Sequence, residues 1–475
     1  MRLVAALHSV FLALLLGVTL DASQADDARV LLEVGRDYPE TRLFDACHVR
    51  LSPNAMPLLA VAGFTQTGQG DIADLSVFEW SGGEKPILRW RLLRGGAGAS
   101  SIRTLRAADL DGDGRDELIA LGRIGDEHTD SRGELQVFRH DEAQWKPIAL
   151  ERWQSGQYTH GYGMDIADLG GDRSLEIITG GFFGRGEREE AELRVWKLKG
   201  ERLALIASTS WGSESGLTRI NSIRVGDITG DGKPEIVSAG RTGQIKAGEH
   251  VTTHEADQLV VWRLDGTRLI RQTVYESDPA DRSRFRELRL ADLDGLPGLE
   301  LLAVGRHEPA LSSGLGKGGG GGGKGTGGGR GTGTGGGRAA AEQSPPVRPL
   351  FSVFKLQDGS LKRLSEADFG DSLGEVRDVV TTRDKNGAMQ AVTIAASELK
   401  PDRTARLDLW QLHGLSLESK SKRIVVLGDE TRARQIILWG LGSSSGRGGE
   451  RRIITVGFVQ RGEQILGQML DWGPL

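Results

Sequence analysis

The chain has 475 residues, enough for two or three ordinary domains or one large β-architecture. Its formal net charge of −5 supplies no global field of the kind that draws nucleic acid. Cys47 is the only cysteine, which excludes a disulfide within the chain and reads as a buried thiol on a strand.

In chain order, Met1-Arg2-Leu3 precede an apolar run over 10–20, and Ser23 and Ala25 stand where a cleavage signal needs small residues. The pattern predicts a secretory signal peptide over 1–25. Its apolar core is too short to persist as a membrane span, and no later segment is long or apolar enough to cross. The remainder, 26–475, is expected to be one soluble exported domain, either secreted or periplasmic or at a cell surface.

Short strands follow at regular spacing. Residues 29–34 read as one strand, and 44–49, 57–64, 75–80 and 87–93 as a group of four. Next comes Asp109-Leu110-Asp111-Gly112-Asp113-Gly114-Arg115-Asp116-Glu117, with carboxylates at alternate positions and glycines between them. Such loops wrap a hard cation: acids at positions 1, 3 and 5, a backbone carbonyl at 7 and a later acid supply oxygens. Here those groups are Asp109, Asp111, Asp113, the Arg115 carbonyl and Glu117. Glycine at position 6 permits the tight turn. The apolar strand after Glu117 replaces the exit helix of an EF-hand.

The turn recurs with leading residues Asp168, Asp227 and Asp292, at steps of 59, 59 and 65 residues. Each copy is followed by an apolar strand ending near glycine, then by a strand with an aromatic near its end, as at Phe138, Trp196 and Trp262. Four short strands per repeat make one antiparallel blade. Two further units, with strands over 376–382, 391–396, 407–412 and 423–427 and over 435–439, 453–459 and 465–472, keep the strand pattern without the acidic turn. The last is one strand short, and 29–34 can supply it, which removes the open sheet edges. The expected fold is therefore an all-β, seven-bladed β-propeller closed by its N-terminal strand. A glycine-rich segment over 312–346, inside the fifth blade, has a composition that cannot bury a core and is expected to be a disordered insertion.

The repeated Asp-x-Asp-Gly-Asp-Gly-x-x-Glu turn, followed by an apolar strand and glycine, resembles the FG-GAP/VCBS repeats, which build the propeller of integrin α-subunits and of many exported bacterial proteins. The resemblance covers 101–306 and implies structural Ca2+ in the loop between the first and second strands of a blade. Carried over by position, the blade 2 ligands are Asp109, Asp111, Asp113, Arg115 and Glu117. Those of blade 4 are Asp227, Thr229, Asp231 and Glu235. Blade 3 keeps Asp168, Asp172 and Glu176 but has Gly170, and blade 5 keeps Asp292, Asp294 and Glu300 but has Leu296. These degenerate copies also read as Asx turns, in which Asp accepts backbone N–H groups.

On the opposite face, the residues entering the innermost strands are rich in arginine: Arg103, His160, Tyr162, Arg219, Asn221, Arg284, Arg286, Arg377 and Arg434. Guanidinium forks suit carboxylate, sulfate or phosphate, so the expected partner is a protein or glycan ligand, possibly anionic. The competing reading pairs these arginines with Glu287, Glu375 and similar neighbours. A second row, Arg106, Asp165, Arg224 and Arg289, reads as an inter-blade ion-pair lattice. Glu249-His250 and His254-Glu255 lack a third zinc ligand and read as a solvated loop. No nucleophile elbow, P-loop or dinucleotide fingerprint is present. The expected function is non-enzymatic binding. The alternatives are a polysaccharide lyase or glycoside hydrolase using His160 and Tyr162 on an acidic polysaccharide, and a structural subunit of an envelope assembly.

Overall fold

The computed structural model describes residues 28–475 except 83–84, 96–97, 127–128, 143, 186–187, 213–215, 246–251, 280–281, 309–346, 371, 373, 397–403 and 441–450. The expected signal peptide, the expected insertion over 312–346, and His250 lie outside the described residues.

After β1 (Arg29–Val34), blade 1 comprises β2 (Thr41–Val49), β3 (Leu58–Thr67), β4 (Gly70–Glu79) and β5 (Ile87–Arg94). Blade 2 comprises β6 (Ser100–Ala108), β7 (Glu117–Asp126), β8 (Asp130–Asp141) and β9 (Gln144–Trp153). Blade 3 is β10 (Thr159–Ala167), β11 (Glu176–Arg185), β12 (Arg188–Lys199) and β13 (Arg202–Trp211). Blade 4 is β14 (Arg219–Gly226), β15 (Glu235–Ile245), β16 (Thr252–Asp265) and β17 (Arg268–Glu276). Blade 5 follows with β18 (Arg284–Ala291), β19 (Glu300–His307), β20 (Arg348–Gln357) and β21 (Ser360–Glu366). Blade 6 has β22 (Glu375–Arg383), β23 (Met389–Ala396), β24 (Ala405–His413) and β25 (Ser416–Val425). Blade 7 has β26 (Glu430–Gly440), β27 (Arg451–Arg461) and β28 (Gln464–Pro474), and β1 completes it on the outside in the order β1-β28-β27-β26. The result is the seven-bladed propeller of four-stranded antiparallel blades that the repeats predict.

The core lies between blades rather than within them. Ile119, Leu121 and Val137 of blade 2 pack on Met164, Ile177 and Trp196 of blade 3. Equivalent clusters join each neighbouring pair, including blade 7 to blade 1 through Trp439, Met469, Leu43 and Trp80. The aromatic near the end of the third strand is anchored through its indole. Trp196, Trp410 and Trp472 each donate Nε1–H to a threonine on the adjacent second strand, Thr179, Thr393 and Thr455, at 2.9 Å.

Two expectations are corrected. The outer strand of blade 6 is Ser416–Val425 rather than 423–427. Its sequence is polar because it is an exposed edge strand, so the apolar signal appears only at its end. His254 lies on β16 rather than in a loop.

All seven innermost strands carry a β-bulge at the same level. The register skips Phe44, Arg103, Tyr162, Asn221, Arg286, Arg377 and Arg434. Opposite six of these bulges the second strand has glycine: Gly63, Gly122, Gly181, Gly240, Gly305 and Gly457. A Cβ at any of them would lie 1.8–2.0 Å from a carbonyl oxygen of the inner strand. Blade 6 has Ala395 at this place. The recurring glycine that ends each apolar strand is thus the space into which the inner strand bulges.

Candidate functional site

A bulge frees one residue per blade from the ladder and re-aims its side chain. Here the seven freed residues form a ring around one cavity of about 130 Å³ at the channel mouth, at the end of the inner strands away from the acidic turns. Four are arginines: Arg103, Arg286, Arg377 and Arg434. Of the residues expected at this rim, Arg103, Tyr162, Asn221, Arg286, Arg377 and Arg434 line the cavity. His160, Arg219 and Arg284 do not. His160 is 3% exposed and packs against Phe182 at 4.7 Å. Arg219 is spent on Glu189, 2.6 Å from its Oε1, with its guanidinium 4.1 Å above the Phe182 ring.

Glu375 is the counter-charge for one side of the ring. Arg286 and Arg377 approach it to 2.5 Å and Arg284 to 3.5 Å. Burial pushes its carboxyl up, but Arg286, Arg377 and Arg284 together hold it well below the usual carboxylate range. Across the ring, Arg103 stacks 4.2 Å from Phe44 and 5.5 Å from Tyr162, and Arg434 lies 5.6 Å from Phe44 and 5.5 Å from Phe458. Burial and the nearby Arg377, Arg286, Arg432 and Arg103 press Arg434 well below the usual guanidinium range. A guanidinium keeps its charge in proteins, so that pressure is felt as repulsion among cations. Phe44 also joins the ring; it stands 59 residues before Arg103, but in the sequence it marks only the start of a strand.

Below the ring lies the expected lattice. Arg106 pairs with Asp45 at 2.9 Å, Arg224 with Glu287 at 2.7 Å and Arg289 with Asp378 at 3.0 Å. The same carboxylates also accept backbone N–H groups from the next blade. Asp45 accepts from Leu105 and Asp378 from Ile436, both at 2.8 Å. In the same lattice Asp165 accepts the Val225 N–H at 2.8 Å.

The acidic turns share one construction. The leading Asp accepts loop N–H groups: Asp109 from Gly112 and Gly114 at 2.7 and 2.9 Å, and Asp227 from Gly230 and Gly232 at 2.6 and 2.8 Å. The closing Glu is buried and reaches back to the second residue. Glu117 accepts from Leu110, Glu176 from Leu169, Glu235 from Ile228 and Glu300 from Leu293, at 2.7–3.2 Å. Its other oxygen meets a base from the third strand of the same blade, directly after the anchoring aromatic. Arg139 bridges Asp111 and Glu117 at 2.5 and 2.9 Å, and Lys197 bridges Asp172 and Glu176 at 3.2 and 3.0 Å. Arg263 bridges Asp231, at 2.8 Å, and Glu235, while Lys355 bridges Asp294 and Glu300 at 2.7 and 2.5 Å. For a hard divalent cation the donor chemistry fits best at two turns. Oxygens of Asp109, Asp111 and Glu117, and of Asp292, Asp294 and Glu300, gather within 4.8 Å of one another. At both turns a base, Arg139 or Lys355, already pairs with two of these acids.

Cys47 is half-buried on β2, and burial pushes its thiol up, so it stays protonated.

No family model matches the chain, and no curated protein matches it. Solved structures match in outline. Sqt1 of Chaetomium thermophilum has a TM-score of 0.45 at 11% identity over 93% of this chain and 99% of its own. Extracellular domains 1–2 of Drosophila Semaphorin 1b give 0.44 at 8% over 94% and 87%. The GH93 α-L-arabinofuranosidase of Fusarium graminearum, solved with arabinobiose, gives 0.41 at 10% over 77% and 91%. At these scores the likenesses carry no argument about function.

Proposed function

We propose that this chain is an exported, non-enzymatic propeller that binds a protein or acidic glycan at the channel mouth. The observation that carries this reading is the ring of bulged residues, in which four arginines face one cavity while the nearby carboxylates are engaged elsewhere: Asp45, Glu287 and Asp378 with Arg106, Arg224 and Arg289, and Glu375 among three arginines. The sequence of 1–25 supports export, and the turn spacing supports an FG-GAP/VCBS-like repeat. Glycan-array and pull-down binding test the reading. Wild type should retain a ligand that Arg103→Gln and Arg434→Gln lose; equal retention by all three proteins refutes it.

Calcium at the turns of blades 2 and 5 is the second part of the proposal. Asp109, Asp111, Asp113, the Arg115 carbonyl and Glu117 would hold it in blade 2. There it would fix the turn by offsetting carboxylate repulsion, after displacing Arg139. The blade 4 set, Asp227, Thr229, Asp231 and Glu235, is the weaker candidate, because among the described residues its acids do not gather their oxygens as closely as those of blades 2 and 5 do. Melting temperatures in excess Ca2+ and in chelator test it.

A lyase or glycosidase is the second reading, favoured by Tyr162 lining the cavity beside arginines. The burial of His160 removes the expected proton-transfer partner from the mouth. Turnover of an acidic polysaccharide, lost in Tyr162→Phe, would establish this reading in place of the first.

A further inference from the structure

We infer that the bulge ring is a receptor for one oxyanion group (phosphate, sulfate or carboxylate) taken end-on, with Arg103 and Arg434 as its principal donors. This rests on the channel-mouth reading and narrows it to a ligand chemistry.

Asp45, Glu287 and Asp378 below the ring are committed to Arg106, Arg224, Arg289 and backbone N–H groups. Glu375 is committed to its three arginines. Among the described residues no carboxylate lies within ion-pair reach of Arg103 or Arg434. Both are nevertheless drawn into a half-buried mouth where cations crowd one another, an arrangement that costs stability unless a negative charge enters.

The way the two are held fits a receptor rather than a structural role. Phe44 lies against both guanidiniums, at 4.2 and 5.6 Å. Stacking engages the face of a guanidinium and leaves its in-plane N–H fork available, the edge that recognises oxyanions. Neither Arg103 Nε nor Arg434 Nε, both buried, has a hydrogen-bond partner. Phe44 is thus a positioning residue that orients two donors without neutralising them.

Size sets the mode. The cavity of about 130 Å³ is floored by the ion-pair lattice. It is well under the roughly 300–1,000 Å³ of pockets that enclose a small molecule. It therefore admits a charged group of a few heavy atoms. A larger ligand would present that group and remain outside.

The test is thermal melting and calorimetric binding of the full chain with inorganic phosphate, sulfate or citrate against chloride at matched ionic strength. At least one oxyanion should raise the melting temperature. Arg103→Gln and Arg434→Gln should each weaken its binding by about tenfold or more, and the exposed, distant Arg268→Gln should leave it unchanged. In oxyanion-free, low-salt buffer, Arg434→Gln should melt no lower than wild type, since it relieves repulsion; a structural arginine would melt lower. Sulfated and uronate oligosaccharides should compete with the free ion if a glycan carries the group; if they do not, the ring serves a free oxyanion. The inference falls if no oxyanion exceeds chloride, or if the ring variants respond like wild type. Should a macromolecule still be captured by wild type and lost by Arg434→Gln, the channel-mouth reading survives that failure. Should oxyanions bind while no macromolecule is captured, the inference stands and that reading falls.

Discussion

Glu375 holds three arginines together at the ring, and its removal should show what that clustering costs. Replacing one partner of a buried ion pair leaves uncompensated charge, with a cost of roughly 3–5 kcal/mol. Glu375→Gln is expected to lose stability on that scale, measured by denaturant unfolding at pH 7. His48 offers a different probe. It lies against Trp439 at 4.9 Å, its buried Nε2 has no hydrogen-bond partner, and burial with Arg50 nearby lowers its pKa to about 4. A folded pKa below the unfolded value of 6.5 means that the unfolded chain binds the extra proton first. Stability should therefore rise with pH between about 4 and 6.5, with nothing further from this group above that window. His48→Phe should flatten the profile there, read from unfolding free energies at several pH values.

Elements show why much of the fold, and only part of the site, could be read in advance. The acidic turns and apolar strands are visible because each repeats a local chemical requirement. The glycine ending each second strand was equally visible, but its purpose was not, since the carbonyl it accommodates belongs to another strand. Without that pairing, nothing in the sequence distinguished Arg103, which the bulge turns into the mouth, from Arg219, which turns to Glu189. Gly240→Ala tests the bulge: its Cβ would lie 1.9 Å from the Arg219 carbonyl oxygen. Overpacking of this kind costs typically about 1–3 kcal/mol, and unfolding measurements should find a loss at least that large. The third-strand bases were also hidden, because a single Arg or Lys after an aromatic reads as ordinary strand alternation. If a base is the counter-ion of its turn, Arg139→Gln should lower the melting temperature in chelator and recover part of the loss in millimolar Ca2+. Wild type should change less between the two buffers. Equal responses from both proteins would remove the competition between base and ion.

At the scale of the whole molecule, the inter-blade cores make every blade depend on two neighbours, and blade 7 depends on both ends of the chain. The pairing of β1 with β28 was legible because 435–472 lacked a fourth strand. The polar β25 was misplaced because an outer edge strand needs little apolar surface. Deleting 29–34 should expose the edge of β28, uncover Val456 and Met469 beside the lost Leu31, and favour self-association. Light scattering against the intact chain would detect this, and an unchanged molar mass would contradict it.

That junction also constrains how the molecule can be made. Arg29 and Asp471, which meet in it, are 442 positions apart. A ribosome releases the first of these partners long before the second exists. The earliest segment must therefore wait, unmatched, while six blades take shape behind it. Loss of the strand Gln464–Pro474 would strand it permanently and leave the wheel open, so a late premature stop should be as damaging as an early one.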